Sequence, residues 1–200
     1  MLRVIGRPPP LTTILIVINS VIFAYGMISG MQEKIISQYG FIPNNLFQYG
    51  NHELSDSLLR LFTSMFIHAN IVHISFNLFA LAYMGGFAER SMGISRFIII
   101  YVAAGICGGL LHGLVASYIL FNGNDILIGA SGAISGILGV AAALGDIRGY
   151  YWLAIQVFYV FIGSLTSLSI AFVAHVGGFI TGLFVTKIMI RLEQEKRKWY

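Results

Sequence analysis

Five stretches of this chain contain no Asp, Glu, Lys or Arg: Pro8 to Gln32, Leu61 to Ala88, Phe97 to Asn124, Ile126 to Gly145 and Gly149 to Thr186, of 25, 28, 28, 20 and 38 residues. A helix crosses a hydrocarbon core of about 30 Å with about 20 apolar residues, so the first four stretches supply one span each and the fifth two. Charged residues make up 10% of the 200, against roughly 25% in soluble domains. A water-soluble globule is thereby excluded. The chain reads as an all-α polytopic membrane protein of six spans, a single domain over residues 1–200.

Basic residues collect on the cytoplasmic ends of membrane helices. With the N-terminus inside, the inner side carries Arg3, Arg7, Arg90, Arg96, Arg148, Lys187, Arg191, Lys196, Arg197 and Lys198, and the outer side only Lys34 and Arg60. The acids divide evenly, so the net charge of +4 reflects membrane topology and gives no sign of nucleic-acid binding. Both termini are expected in the cytoplasm. Cys107 is the single cysteine, which rules out an intramolecular disulfide. The first apolar stretch is longer than a signal-peptide core and reads as a retained span.

Pro8, Pro9 and Pro10 precede the first span, expected over 11–28, and an outer loop of about 29–70 follows, too long for a helix hairpin. Its Tyr39, Phe41, Phe47 and Tyr49 suit either a wet loop or one lying partly in the headgroup layer. The remaining spans are expected over 71–87, 97–120, 131–144, 150–162 and 169–190.

The fourth span is the informative one. From Ser131 to Gly145 the chain can make a helix of about 22 Å, short of the roughly 30 Å needed to cross. With its inner end at Asp146, its outer end lies below the membrane surface. Residues Gly123 to Ala130 must then descend into the membrane as irregular backbone, tolerated only inside protein or beside a water-filled cavity. Ser131 is thereby placed at a helix N-terminus, within the bilayer, next to water.

The same ruler places Asn77 about 18 Å and His73 about 24 Å above Glu89, and His175 about 18 Å above Lys187, level with Ser131. His73 and Asn77 share a helix face, as do His175, Gly178 and Gly182. Gly132-x-x-x-Gly136 and Gly178-x-x-x-Gly182 allow two helices to approach closely and bring Ser131 toward His175. An intramembrane histidine is a functional candidate by default.

A serine hydroxyl becomes a useful nucleophile when a neutral imidazole takes its proton. The tetrahedral oxyanion would find donors in the Ser131 backbone N–H, Asn77 and His73. That is a dyad with an oxyanion hole. There is no His-Glu-x-x-His zinc motif and no intramembrane aspartate pair, so neither a metal nor another cofactor is expected.

The runs Arg60-Leu-Phe-Thr-Ser-Met-Phe-Ile-His68-Ala-Asn-Ile-Val-His73-Ile-Ser-Phe-Asn77, Glu89-Arg-Ser-Met-Gly93, Gly129-Ala130-Ser131-Gly132 and Ala174-His175-Val-Gly-Gly178-Phe-Ile-Thr-Gly182 together resemble the rhomboid intramembrane serine proteases. The resemblance runs from about Leu11 to Arg191, in the family's order. It implies Ser131 as nucleophile, His175 as general base, and His73, Asn77 and the Ser131 amide as oxyanion donors. It also implies a membrane-embedded outer loop containing Arg60, lateral gating near the fifth span, and cleavage of single-span membrane proteins near a small residue. The compact six-span core fits a prokaryotic plasma membrane.

Two positions depart from the family. Leu59 precedes Arg60 where many members have Trp, and Ser135 stands where relatives place an aromatic ring against the catalytic histidine. Something else must orient His175, and Ser135 is a conceivable alternative nucleophile. Gly129, Gly132, Gly178 and Gly182 read as site support, as do Ser135 and His68, the last near the cavity mouth. His112 has no partner readable from sequence, and His52 is expected in solvent. Glu89, Arg90 and Gly93 look like a helix-end cap and turn. A catalytically inactive relative that binds membrane clients and a small transporter are the alternative functions, the latter disfavoured by the lack of an intramembrane carboxylate.

Overall fold

The structure, a computed structural model, describes residues 9–48, 53–165 and 172–198, with the side chains of 160–165 excepted. Arg3, Arg7, Tyr49 and His52 lie outside the described residues, as does the expected start of the last span at 169–171. The described chain is helical: α1 (Pro10–Ser29), α2 (Gln32–Tyr39), α3 (Pro43–Phe47), α4 (Leu54–Thr63), α5 (Ile71–Met92), α6 (Ile94–Tyr118), α7 (Ser131–Ala143), α8 (Ile147–Leu165) and α9 (Phe172–Arg197). Four of these, α1, α5, α6 and α9, are long and apolar enough to cross a membrane. Helix α7 is apolar but has only 13 residues, a length of about 20 Å.

Helix α1 starts on Pro10, whose missing N–H is no loss at a first helical position. The next free donors are taken by Glu89 of α5: its carboxylate accepts from Leu11 N at 3.0 Å, Thr12 N at 2.7 Å and Thr12 Oγ1 at 2.7 Å. This corrects the sequence reading of Glu89 as a local cap. It caps the N-terminus of another helix, where an anion is favoured, and is buried there. Helix α5 runs past the expected Phe87 to Met92. Gly93, at φ +79°, ends it, and only an unsubstituted residue adopts that angle without strain.

One ion pair and one hydrogen bond join neighbouring helices. Arg96 Nη1 meets Glu193 Oε2 at 2.7 Å, joining α6 to α9, and Arg148 bonds both Asp146 and the Tyr83 hydroxyl. Helix α9 continues seven residues beyond the expected Ile190, where Arg191 pairs with Glu195 and Arg197 with Glu193 one turn away.

Helix α7 forms the centre. Every residue from Gly132 to Ala142 is buried, and the helix packs most extensively on α9 and then α6. Backbone approach makes this possible. A Cβ on Gly178 would collide with the carbonyl oxygen of Gly132, and one on Gly182 with that of Gly136. Gly132 itself is less constrained, since a Cβ there would meet Ala174 O at 3.6 Å, an ordinary contact.

The segment expected as an outer loop folds into α2, α3 and α4 against the strand-like descent into α7. Phe41 N donates to Leu127 O at 3.1 Å and Leu127 N to Phe41 O at 2.8 Å, while Asn44 N reaches Gly123 O at 2.9 Å and Gly129 N reaches Ser64 O at 2.9 Å. On α4, Ser57 and Leu61 are buried whereas Leu54, Leu58, Leu59 and Phe62 face outward. An outward apolar face on a short amphipathic helix suits the headgroup boundary better than water. Leu59, at the position where Trp is common, is on that face. Arg60 is tied down by Asp56 at 2.8 Å and the Ser37 carbonyl at 3.0 Å.

Candidate active site

Ser131 opens α7, so its own N–H and those of the next two residues have no partner within the helix. The preceding Gly129 has φ +118°, and the point where its Cβ would stand lies 2.7 Å from His73 Nε2 and 3.7 Å from Ser131 Oγ. A Cβ there would collide with the His73 ring, whereas its contact with the serine hydroxyl would be ordinary, and the positive φ favours glycine in any case. His73 is held at the first turn of α5, where Asn70 Oδ1 accepts from its backbone N–H at 2.9 Å. Asn77, one turn on, donates through Nδ2 to the His73 carbonyl at 2.9 Å, and its buried Oδ1 has no protein partner.

From α9, His175 places Nε2 2.7 Å from Ser131 Oγ. Gly178 and Gly182, on the same face, set the backbone separation at which this contact occurs. Ser131, His175, His73 and Asn77 line one cavity of about 860 Å³, and His112 of α6 lines it too. His112, for which sequence offered no partner, thus faces the same space as Ser131.

Ser135 and His68 are placed elsewhere. Ser135 is fully buried, and its Oγ accepts from Trp152 Nε1 at 3.3 Å, a setting for support and not for attack on a substrate. His68 is buried, its ring centroid 5.0 Å from that of His73 in an edge-on arrangement. Its carbonyl accepts from Gln32 Nε2 at 2.5 Å, anchoring α2 to the entry of α5.

The sequence reading left open what orients His175. In the structure Gln156 of α8 places Oε1 2.7 Å from His175 Nδ1, opposite the serine. Trp152, one turn earlier and held by Ser135, brings its ring centroid to 6.4 Å from the imidazole, and Phe172 packs edge-on at 5.8 Å. The aromatic role expected at position 135 is therefore filled from α8 and α9. Trp152 and Gln156 are four residues apart on one helix face, and that spacing on an uncharged span was the signal available in the sequence.

Helices able to span a bilayer, with a serine and a histidine paired over an internal cavity, define the class: a polytopic integral membrane protein with a candidate hydrolytic pair. Comparison with known families is specific. The rhomboid-domain family model matches residues 55–192, and the chain belongs to the rhomboid family. It is 31% identical over 142 residues to RHOMBOID-like protein 7 of Arabidopsis thaliana, covering 66% of this chain and 42% of the relative. It is 41% identical over 80 residues to the Rhomboid protease GluP of Bacillus subtilis, covering 40% of this chain and 14% of that protein. With Rhomboid-like protease 1 of Toxoplasma gondii it shares 28% identity over 156 residues, 70% of this chain and 50% of the relative. The chain spans about half or less of the length of these curated relatives.

Proposed function

We propose that this protein is an intramembrane serine endopeptidase that cuts transmembrane segments of membrane-protein substrates with a Ser131–His175 dyad. The observation that carries the reading is the 2.7 Å contact between Ser131 Oγ and His175 Nε2 in the wall of a cavity large enough for a peptide segment. Family membership and relatives named as proteases support it. In the reaction, Ser131 Oγ attacks the scissile carbonyl carbon as its proton passes to His175 Nε2. The oxyanion forms beside the free N–H groups at the start of α7 and the side chains of His73 and Asn77. His175 returns the proton to the leaving amine, and a water deprotonated by the same imidazole releases the acyl group.

In this reading residues 1–200 form one rhomboid domain with six spans, α1, α5, α6, α7, α8 and α9. Helix α7 stops below the outer surface, and α2 to α4 lie in the outer boundary of the bilayer. The termini face the cytoplasm of a prokaryotic cell. Gly129, Gly132, Gly178 and Gly182 support the site. The test is cleavage of a single-span substrate by purified protein in proteoliposomes, compared with Ser131→Ala and His175→Ala. Loss of cleavage in both variants is expected; cleavage retained by Ser131→Ala would refute the assignment.

A further inference from the structure

We propose that Gln156 is the positioning residue of the site: by accepting a hydrogen bond from Nδ1 of His175, it selects the imidazole tautomer that can serve as base. The inference rests on the proteolytic reading given above. A neutral imidazole carries one proton, on Nδ1 or on Nε2. The amide oxygen Gln156 Oε1 offers only lone pairs, so its 2.7 Å approach to Nδ1 is a hydrogen bond only when Nδ1 bears the proton. Nε2 is then left as an acceptor, 2.7 Å from the Ser131 hydroxyl. During attack the serine proton moves to Nε2, while the Nδ1–H stays bonded to Gln156.

The surroundings preserve the arrangement. Gln156 is buried, so water does not compete freely for Nδ1. Trp152, on the same face of α8 and fixed through Ser135, and Phe172 flank the imidazole and limit its rotation. An amide here does the orienting work of a triad carboxylate without placing a charge in the interior. Because Gln156 belongs to α8 and Ser131 and His175 to α7 and α9, the competent base exists only while α8 is seated against both.

The titratable groups that share the cavity with His175 are His73 of α5, His112 of α6, Asp125 before α7 and Tyr159 of α8. None of these is altered by substitution at position 156, which makes the pH profile a usable readout. Gln156→Met keeps the volume and removes the acceptor. Its kcat is expected to fall about tenfold or more, with KM and thermal midpoint close to wild type. Gln156→Glu keeps an acceptor and adds a negative charge favouring the imidazolium, so activity persists while the acid limb of kcat moves up by about one pH unit. Wild-type kcat in Gln156→Met, or a Gln156→Glu profile superimposed on wild type, overturns the proposal. Should Gln156→Met fail to fold, the Gln156→Glu profile decides alone. The ¹⁵N spectrum of histidine-labelled protein reads the tautomer without any cleavage: an Nδ1-protonated His175 is expected, and an Nε2-protonated one refutes the role. A wild-type protein inert toward every substrate, or an active Ser131→Ala, would instead remove the proteolytic reading.

Discussion

Gly178→Ala adds one methyl group, and its consequence can be worked from the packing of α9 on α7. The new Cβ would stand inside contact distance of the Gly132 carbonyl oxygen and 3.3 Å from the Ala104 carbonyl oxygen of α6. Both obstacles are backbone, so no side chain can swing aside. Non-bonded atoms settle at about 3.5–4.0 Å, which forces α9 away from α7 by on the order of 1 Å. His175 sits one turn before Gly178 and moves with it. The Ser131 Oγ to His175 Nε2 separation of 2.7 Å then opens to the edge of hydrogen-bond range.

Overpacking of this kind costs about 1–3 kcal/mol of stability, and a displacement of about 1 Å at reacting groups costs on the order of a hundredfold in rate. The control is Gly132→Ala, on the opposite side of the same contact, where the added Cβ meets nothing closer than 3.6 Å. That variant keeps every backbone N–H at the start of α7 and is expected to retain activity within a few fold. The assay is initial-rate cleavage of a fluorescent single-span substrate in proteoliposomes, with thermal midpoints measured in parallel. Equal activity in Gly178→Ala and wild type, or greater damage from Gly132→Ala than from Gly178→Ala, would refute the reasoning.

Other substitutions separate chemistry from support. Asn77→Ala removes a donor proposed for the oxyanion without touching the Ser131–His175 contact, and kcat is expected to fall about 10²–10³-fold with little change in thermal midpoint. Ser135→Ala deletes only the acceptor for Trp152 Nε1; a loss of about 1 kcal/mol in stability and a modest fall in rate are expected, and abolished cleavage would revive Ser135 as nucleophile. Glu89→Ala strips α1 of the acceptor for three donors. Its thermal midpoint should drop, with bonds to a charged acceptor worth about 1.5–3 kcal/mol each, while the folded fraction keeps its kcat.

What sequence revealed of this molecule follows the range of the physical effects involved. Charge spacing located the apolar stretches, because a single unpaired charge in hydrocarbon is costly wherever it falls, but it did not mark the helix ends, since α5 continues through Glu89 and Arg90 and α9 through Lys187 and Arg191. The shortness of α7 was legible for the same reason: Asp146 bounds it on one side and irregular, glycine-bearing backbone on the other. Partners far apart along the chain were not legible. Glu89 and Thr12 are 77 residues apart, and a carboxylate beside Arg90 reads as a local cap until the fold brings α1 to it. Gln156 was missed because an amide carries no charge to interrupt an apolar stretch. Its role appears only when α8 is laid against His175.

The outer segment shows why counting spans understates this architecture. In the proposed membrane placement, the irregular backbone leading to Ser131 would expose peptide groups that lipid cannot satisfy, each worth several kcal/mol if left unpaired. Phe41, Asn44 and Ser64 supply main-chain partners to Leu127, Gly123 and Gly129. Two of those three residues come from the region between α1 and α4, and the third follows α4 directly. A loop that merely connected two spans would need no such pairing, and its length would be free to vary. Here the same segment turns leucines and a phenylalanine of α4 outward and bonds inward to the descent. It therefore pairs the backbone that leads into α7, and the position of Ser131 depends on α2 to α4 as directly as on α7 itself.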